Sequence, residues 1–237
     1  MLPLRKPNAS PGGDPVRAVT FDVGGTLIQP WPSVGQVYAE VAAAHGHRGL
    51  SPEVLNRRFA AEWRALKKFQ HTRSQWSALV DATFRDLVQP VPSESFFDAL
   101  YERFAEPEAW HIYPDVLPTL EVLAARGLKL GVISNWDERL GPLLVKLRLR
   151  DFFEVVVVSW EIGFPKPSQA IFQAAASQLA FPPEAILHVG DSFEMDVRGA
   201  RTAGFQAVRL QREARTLTAH QIRSLRELAL IFRSAPA

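Results

Sequence analysis

The sequence has 237 residues, of which 47% are apolar, carries a formal net charge of +2 and contains no cysteine. This length and apolar content can bury a core in one large domain, or in a core with a smaller insert. The missing cysteine excludes disulfides, thiolate catalysis and cysteine-ligated zinc. The near balance of charge gives no argument for a nucleic-acid partner.

The start of the chain, residues 1–14, is rich in Pro and Gly and lacks the apolar core of a signal peptide, so we predict a disordered leader. No stretch approaches the roughly 18 consecutive apolar residues of a membrane span. The lack of cysteine fits a reducing compartment. We therefore expect a cytoplasmic protein without a membrane partner, whereas the sequence makes no prediction of the oligomeric state.

The first apolar run, 16–21, is rich in β-branched residues and predicts a buried strand. Amphipathic helical spacing then dominates residues 30–111, where we predict a helical bundle inserted into the fold. The aromatic residues of this insert have the spacing of core residues, so we expect them to pack rather than bind a ligand. The predicted helices are 34–45, 52–69, 74–88 and 93–104, and the aromatic residues include Phe59, Trp63, Trp76 and Phe84.

Strands and helices alternate in the rest of the chain. Gly127 and Gly204 each follow a helical segment and fit helix C-caps. The predicted strands are 128–133, 155–158, 185–189 and 206–210, and the predicted helices are 118–126, 138–147, 168–179 and 194–203. This alternation predicts an α/β fold in which helices cover both faces of a doubly wound parallel sheet. We place this core at residues 15–29 and 112–237 and the inserted all-helical domain at 30–111.

Polar residues follow the predicted core strands directly. Asp22 follows the first strand, Ser134 and Asn135 follow the second, and Gly190 and Asp191 follow a later one. Ligands of open parallel sheets bind at the carboxyl ends of the strands. We therefore expect these residues to face one crevice.

Three acidic residues, Asp22, Asp191 and Asp196, would converge at this edge, with Lys166 as the only obvious basic partner. Carboxylates so close together cannot all ionise unaided. Either some of their pKa values rise, or a divalent cation binds, and oxygen ligands favour Mg²⁺ over zinc. The adjacent Gly24 and Gly25 could present backbone amides to an anion, or could form an ordinary tight turn.

Four ordered motifs resemble those of the haloacid dehalogenase superfamily. They are Asp22-Val23-Gly24-Gly25-Thr26, Ile133-Ser134-Asn135, Lys166-Pro167, and Gly190-Asp191-Ser192 with Asp196. The resemblance implies a Rossmann-like core with a helical cap, inserted after the first motif, and an aspartate nucleophile, Asp22, that becomes phosphorylated. It also implies that Ser134 and Lys166 assist catalysis.

The resemblance further implies a set of binding roles. Val23, Gly24, Ser134, the Asn135 amide and Lys166 would contact the phosphoryl group of the substrate. Mg²⁺ would be bound by the Asp22 carboxylate, the Gly24 carbonyl and Asp191. Asp196 would lie behind these ligands and orient Lys166 or a metal-bound water, although a purely structural role as a first-turn helix acid is also open.

Gly24 departs from the pattern of the phosphatases in this superfamily, which have a second aspartate at this position as general acid and base. General acid and base catalysis contributes roughly 10²- to 10⁴-fold, so its loss would leave a slow enzyme. Asp137, Glu138, His45 or His47 could replace it, although each is more typical of a surface or capping residue.

Several functions therefore remain open. The first is a Mg²⁺-dependent phosphatase acting on a small phosphorylated metabolite. The second is a binding or regulatory protein that keeps the phosphate site with little chemistry. The third is a 2-haloacid dehalogenase, which Asp191 argues against because its charge would repel the anionic substrate. A phosphonate hydrolase with Lys67 or Lys68 as Schiff-base former is a further alternative.

Overall fold

A computed structural model describes residues 16–66 and 68–232. The predicted leader, 1–14, and Lys67 lie outside the described residues. By its contacts the chain divides into two compact units. The first unit comprises the residues up to 28, 112–135 and those from 148 onward, and the second comprises 29–111 and 136–147.

The strands of the described chain form one large and one small sheet. In chain order they are β1 Ala18–Phe21, β2 Ile28–Pro30, β3 Trp110–Ile112, β4 Lys129–Ser134, β5 Val155–Val158, β6 Ile186–Gly190, β7 Gln206–Leu210 and β8 Gln221–Ile222. Among the described residues the large sheet has six strands in the order β5-β4-β1-β6-β7-β8, and every neighbouring pair in it is parallel. The predicted doubly wound parallel sheet is confirmed.

Helices follow most of these strands along the chain. They are α1 Val34–Ala44, α2 Pro52–Ala65, α3 Arg73–Phe84, α4 Phe97–Arg103, α5 Val116–Ala125, α6 Leu140–Lys146, α7 Ser159–Ile162, α8 Gln169–Leu179, α9 Gly199–Thr202 and α10 Leu228–Ile231. Gly127 and Gly204 follow α5 and α9 with φ of 76° and 88°, the conformation expected after a helix end.

Four predicted helices are wrong in their bounds, the first being 52–69, which ends at Ala65 as helix α2. Helix α3 ends at Phe84 rather than at residue 88, because Asp86 has a left-handed backbone with φ of 61°. The predicted helix 93–104 is a short 3₁₀ turn, Pro92–Glu94, followed by α4. The predicted helix 194–203 begins as a π-helical turn, Phe193–Arg198, before α9.

One face of the large sheet is covered by α8 and α9. Ile171, Phe172 and Ala175 of α8 are fully buried and pack with strand residues such as Ile133 and Val157. Strands that are covered in this way read as continuous apolar runs in the sequence, which is why the runs located them.

The inserted region is not entirely helical, which corrects the prediction. Strands β2 and β3 pair as a two-stranded sheet near the two ends of the insertion. The interior of the second unit is aromatic, with Tyr38, Phe84 and Phe96 nearly closed to solvent. Trp63, by contrast, is 40% exposed.

Residues 136–147 belong to the second unit, whereas the sequence-based boundaries assigned them to the core. Polar contacts within the second unit explain the difference. Trp76 Nε1 donates to Asp137 Oδ2 at 2.8 Å, and Tyr101 Oη donates to Glu138 Oε1 at 2.8 Å. The spacing of apolar residues in the sequence does not predict such polar contacts. Among residues 16–66 and 68–232, no helix combines the length and apolarity that crossing a bilayer requires.

Candidate active site

The polar residues after β1, β4 and β6 meet at the carboxyl edge of the large sheet. Strand β1 lies between β4 and β6 and pairs with both. The chain moves outward from β1 through β4 on one side and through β6 on the other, so the strand order reverses here. This is the point at which open α/β sheets bind ligands. The structure therefore brings together Asp22, Ser134 and Asp191 as the strand ends predict.

Asp22 receives two hydrogen bonds on the same carboxylate oxygen. Ser134 Oγ donates to Asp22 Oδ1 at 2.9 Å, and Lys166 Nζ donates to it at 2.7 Å. Burial of the carboxylate, together with the negative charge of Asp196, raises the pKa of Asp22 although Lys166 opposes this. Both donors approach Oδ1, so neither of them blocks Oδ2.

Lys166 is held by its main chain as well as by its ammonium group. The Asn135 side chain accepts from Lys166 N at 2.6 Å and donates to the Lys166 carbonyl at 3.0 Å. The Asn135 carboxamide thus fixes the Lys166 backbone. A contact between the Asn135 amide and a phosphoryl group stays a prediction.

Asp196 completes a buried ion cluster with Lys166. Lys166 Nζ donates to Asp196 Oδ1 at 2.6 Å, and Asp196 is only 1% exposed. Burial alone would raise the pKa of Asp196, but the positive charge of Lys166 and a hydrogen bond from His188 hold it well below its usual range. Burial would likewise lower the pKa of Lys166, but Asp196 and Asp22 raise it. Lys166 is therefore a cation shared by two carboxylates.

Asp191 lies beside the same cluster. One oxygen each of Asp22, Asp191 and Asp196 lies within 4.8 Å of the other two. Although part of the Asp191 side chain is open to solvent, neighbouring atoms desolvate its carboxylate. This desolvation, with the charges of Asp22 and Asp196, raises the pKa of Asp191 to about 6. Clustered oxygen ligands with excess negative charge fit a hard cation such as Mg²⁺.

The turn after Asp22 is tight and brings the main chain close to Asp191. Gly25 has φ of 74°, and its amide donates to the Ile28 carbonyl at 2.9 Å. A Cβ atom on Gly25 would lie 2.7 Å from Asp191 Oδ2. Two features therefore require glycine at position 25: its positive φ, and the lack of space for a side chain beside Asp191. The Val23 side chain is fully buried, so only its main chain is available to a substrate.

Two residues that the sequence analysis missed lie directly behind this cluster. Thr20 and His188 are fully buried polar residues in the middle of β1 and β6. His188 Nδ1 lies 3.0 Å from Thr20 Oγ1, and His188 Nε2 lies 3.2 Å from Asp196 Oδ1. The only signal in the sequence is that each interrupts an apolar strand.

The proposed replacement acids all belong to the second unit and have partners there. The Asp137 side chain is fully buried and forms an ion pair with Arg139. Glu138 accepts the hydrogen bond from Tyr101, His45 Nδ1 contacts the Val41 carbonyl, and the His47 ring packs against Phe96. These contacts favour structural roles for the four residues.

Comparison with known proteins identifies relatives over most of the chain. The family model of the haloacid dehalogenase-like hydrolases matches residues 16–204 of this chain. The mouse protein named haloacid dehalogenase-like hydrolase domain-containing protein 3 is 34% identical over 205 residues, which cover 81% of this chain and 80% of the mouse protein. The glyceraldehyde 3-phosphate phosphatase of Methanopyrus kandleri is 42% identical over 106 residues, which cover 42% of this chain and 43% of that protein.

Solved structures with the same fold include a phosphatase and a dehalogenase. A HAD phosphatase from Thermococcus onnurineus has a TM-score of 0.67 and 28% identity, covering 91% of this chain and 97% of its own. A 2-haloacid dehalogenase from Pseudomonas syringae has a TM-score of 0.64 and 25% identity, also covering 91% and 97%. The fold alone therefore does not distinguish the two reactions.

Proposed function

Because the chain belongs to the haloacid dehalogenase-like hydrolase family, we propose that it is a Mg²⁺-dependent phosphatase of small phosphomonoesters that uses Asp22 as its nucleophile. The observation that carries this proposal is the contact of one Asp22 oxygen with both Ser134 Oγ and Lys166 Nζ, with Asp191 close by. The names of the relatives from Methanopyrus kandleri and Thermococcus onnurineus, both phosphatases, support it.

In this proposal Asp22 attacks the phosphorus atom, forming an aspartyl phosphate while the bond from phosphorus to the leaving oxygen breaks. Lys166 and Ser134 hold the Asp22 carboxylate in place, and the Lys166 charge and the Ser134 hydroxyl stabilise the negative charge that builds up on the phosphoryl oxygens. Water then attacks the phosphorus atom of the aspartyl phosphate, the bond from phosphorus to the Asp22 oxygen breaks, and inorganic phosphate and the free Asp22 carboxylate are released while the proton of the water passes to solvent. The attacking carboxylate and the two groups that hold it are therefore already buried and in contact with one another.

The residues at the strand ends also suit Mg²⁺. Asp22, the Gly24 carbonyl and Asp191 would hold it, and the ion would supply positive charge to the phosphoryl oxygens. The raised pKa of Asp191 supports this assignment, because a carboxylate that is costly to ionise alone gains most from a cation. Replacement of Gly24 by another residue would leave the carbonyl in place.

Gly24 limits the substrate, because no carboxylic acid stands at this position to protonate the leaving oxygen. Good leaving groups need this proton least, so we propose that acyl phosphates and aryl phosphates react faster than alkyl phosphates. The physiological substrate would be a small phosphorylated metabolite. The same glycine favours the second candidate function, a regulatory protein that binds phosphate with little turnover.

The test is hydrolysis of acetyl phosphate and p-nitrophenyl phosphate, with and without Mg²⁺. We expect turnover that needs Mg²⁺, is abolished in Asp22→Asn and rises in Gly24→Asp. Asp151→Asn, at an exposed position of the first unit, is the matched control and keeps full activity.

Two outcomes would contradict the phosphatase. The regulatory protein would bind a phosphate analogue with Mg²⁺ but turn over neither substrate. Chloride release from a 2-haloacid without Mg²⁺ would instead establish the dehalogenase.

A further inference from the structure

Thr20 and His188 form a polar pair inside the sheet, directly behind the ion cluster. They are register partners on the parallel strands β1 and β6, so their side chains stand side by side on one face. Both are fully buried. Buried polar groups persist where they are hydrogen-bonded, and here both ring nitrogens of His188 have partners.

The partners of the two ring nitrogens indicate which nitrogen of His188 carries the proton. Asp196 is ionised and accepts hydrogen bonds only, so His188 Nε2 must donate to it. Burial lowers the pKa of His188, although the Asp196 carboxylate opposes this, and so favours a neutral ring with one proton. Nδ1 is then an acceptor, and the Thr20 hydroxyl donates to it. The hydrogen bonds therefore run in one direction: Thr20 donates to His188, and His188 donates to Asp196.

Glycines on the neighbouring strands provide space for these polar side chains, and an aromatic ring packs against His188. A Cβ atom on Gly131, the register partner of Thr20 on β4, would lie 3.3 Å from Thr20 Cγ2. A Cβ atom on Gly190 would lie 2.2 Å from Asp196 Cγ, so only glycine admits Asp196 at this depth. The Phe172 ring meets the His188 ring edge to face at 5.3 Å between centroids.

Asp196 in turn receives donors on both oxygens. Oδ1 accepts from Lys166 and from His188, and Oδ2 accepts from the Ser192 amide at 2.9 Å. Three donors in different directions fix the carboxylate, and the carboxylate fixes the Lys166 ammonium. Loss of the His188 donor leaves Lys166 as the one remaining donor to Oδ1 among the described residues, so the carboxylate and the ammonium bound to it are held less firmly.

We propose that His188, oriented by Thr20, is a positioning residue that holds Asp196 and thereby keeps the Lys166 ammonium on Asp22. It touches neither the substrate nor the reacting atoms. The proposal rests on the proposed phosphatase function and adds two residues to it. Residues that orient charged groups of an active site from behind typically cost about 10- to 100-fold in activity when replaced.

The kinetic test compares variants at both positions with acetyl phosphate and Mg²⁺. His188→Leu removes the donor and lowers kcat about 10- to 100-fold, with a smaller change in KM. His188→Gln keeps an N–H near the position of Nε2 and restores most of kcat. Thr20→Val lowers kcat about 10-fold, at the low end of that range, and Thr20→Ser restores it.

Thr119→Val is the matched control. It removes a buried hydroxyl that has no hydrogen-bond partner among the described residues, in helix α5 of the same unit. We expect it to keep full activity. If His188→Leu and Thr20→Val retain the kcat of this control, the proposal is wrong. Should His188→Leu fail to fold, the Thr20→Val and Thr20→Ser variants and the ¹H–¹⁵N correlation spectra still test the proposal.

Two-bond ¹H–¹⁵N correlation spectra of the wild-type protein test the proposal without using activity. They report which nitrogen of His188 is protonated, and the His188→Gln spectrum assigns the signal. We expect a proton on Nε2, whereas a proton on Nδ1 would overturn the proposal. Absence of turnover in the wild type would refute the phosphatase while leaving this result readable, so the two failures are distinguishable.

Discussion

Lys166 Nζ lies 2.7 Å from Asp22 Oδ1, and Lys166 is 3% and Asp22 8% exposed. The nucleophile that we propose is therefore held by a cation that solvent hardly reaches. Asp196 shares this cation from the other side at 2.6 Å. One positive charge thus supports two buried carboxylates, and removal of Lys166 leaves both of them without compensation.

Lys166→Met is expected to destabilise the fold as well as abolish turnover. Removal of one partner of a buried ion pair costs about 3–5 kcal/mol, because the remaining charge stays buried. Two carboxylates are affected here. Urea unfolding at pH 7.5 in EDTA measures the loss in free energy of unfolding.

Lys129→Met is the matched control for this experiment. Lys129 forms an ion pair with Glu154 at 2.7 Å, but half of each side chain is exposed. Exposed pairs contribute about 0–1 kcal/mol. An equal loss of stability in the two variants would contradict the buried cluster.

Asp191→Asn is expected to stabilise the metal-free protein in a pH-dependent way. The pKa of Asp191 is about 6 in the folded protein and 3.8 in an unfolded chain, so the folded protein binds this proton more tightly. The stability that comes from Asp191 is therefore present below pH 3.8 and is lost as the pH rises through 6. Asparagine does not ionise and avoids this loss.

The measurement is the Tm in EDTA between pH 4 and pH 8. We expect the Tm of Asp191→Asn to exceed that of the wild type at pH 7.5, with the difference vanishing towards pH 4. Added Mg²⁺ raises the Tm of the wild type only, because binding to the folded state stabilises it. A lower Tm for the variant at pH 7.5 in EDTA, or equal effects of Asp151→Asn, would refute this account.

Gly25→Ala and Gly127→Ala separate backbone strain from crowding of Asp191. Both glycines have positive φ, 74° and 76°, so both variants incur similar backbone strain. Only the Gly25 variant places a Cβ atom against Asp191, since nothing lies within 4 Å of such an atom at Gly127. We expect Mg²⁺ affinity, measured by calorimetry, to fall at least about tenfold in Gly25→Ala alone. Equal affinities would contradict the assignment of Asp191 as a ligand of the ion.

In the second unit, Arg139→Met is expected to cost about 3–5 kcal/mol of stability. The Asp137 side chain is fully buried, and Arg139 is its ion-pair partner, with 11% of the Arg139 side chain exposed. The Arg139 guanidinium also covers the Tyr101 ring at 3.5 Å. Arg103→Met removes an exposed, longer ion pair of the same unit, 3.6 Å from Glu108, and is the control. A small loss of stability in both variants would contradict a stabilising role for the buried Asp137–Arg139 ion pair.

The sequence predicted the parts of this molecule that depend on local patterns. Apolar runs located the strands of the large sheet except β8, and the polar residues after them located Asp22, Ser134 and Asp191. Lys166 and Asp196 followed from the motifs. These signals are local because a buried strand must be apolar and must end in polar residues at a binding edge.

What the sequence did not predict depends on pairing between distant segments. His188 and Thr20 become neighbours only through the register of β6 on β1, 168 residues apart. The assignment of residues 136–147 to the second unit likewise rests on contacts of Asp137 with Trp76 and of Glu138 with Tyr101. Apolar periodicity records which face is buried, but not against which partner.

The most direct test of the central claim is acid quenching of the protein with ³²P-labelled acetyl phosphate and Mg²⁺, followed by peptide mapping. We predict that the label resides on the peptide containing Asp22, and that it is absent without Mg²⁺ and in Asp22→Asn. Label on any other peptide, or full turnover in Asp22→Asn, would contradict the assignment of Asp22 as the nucleophile.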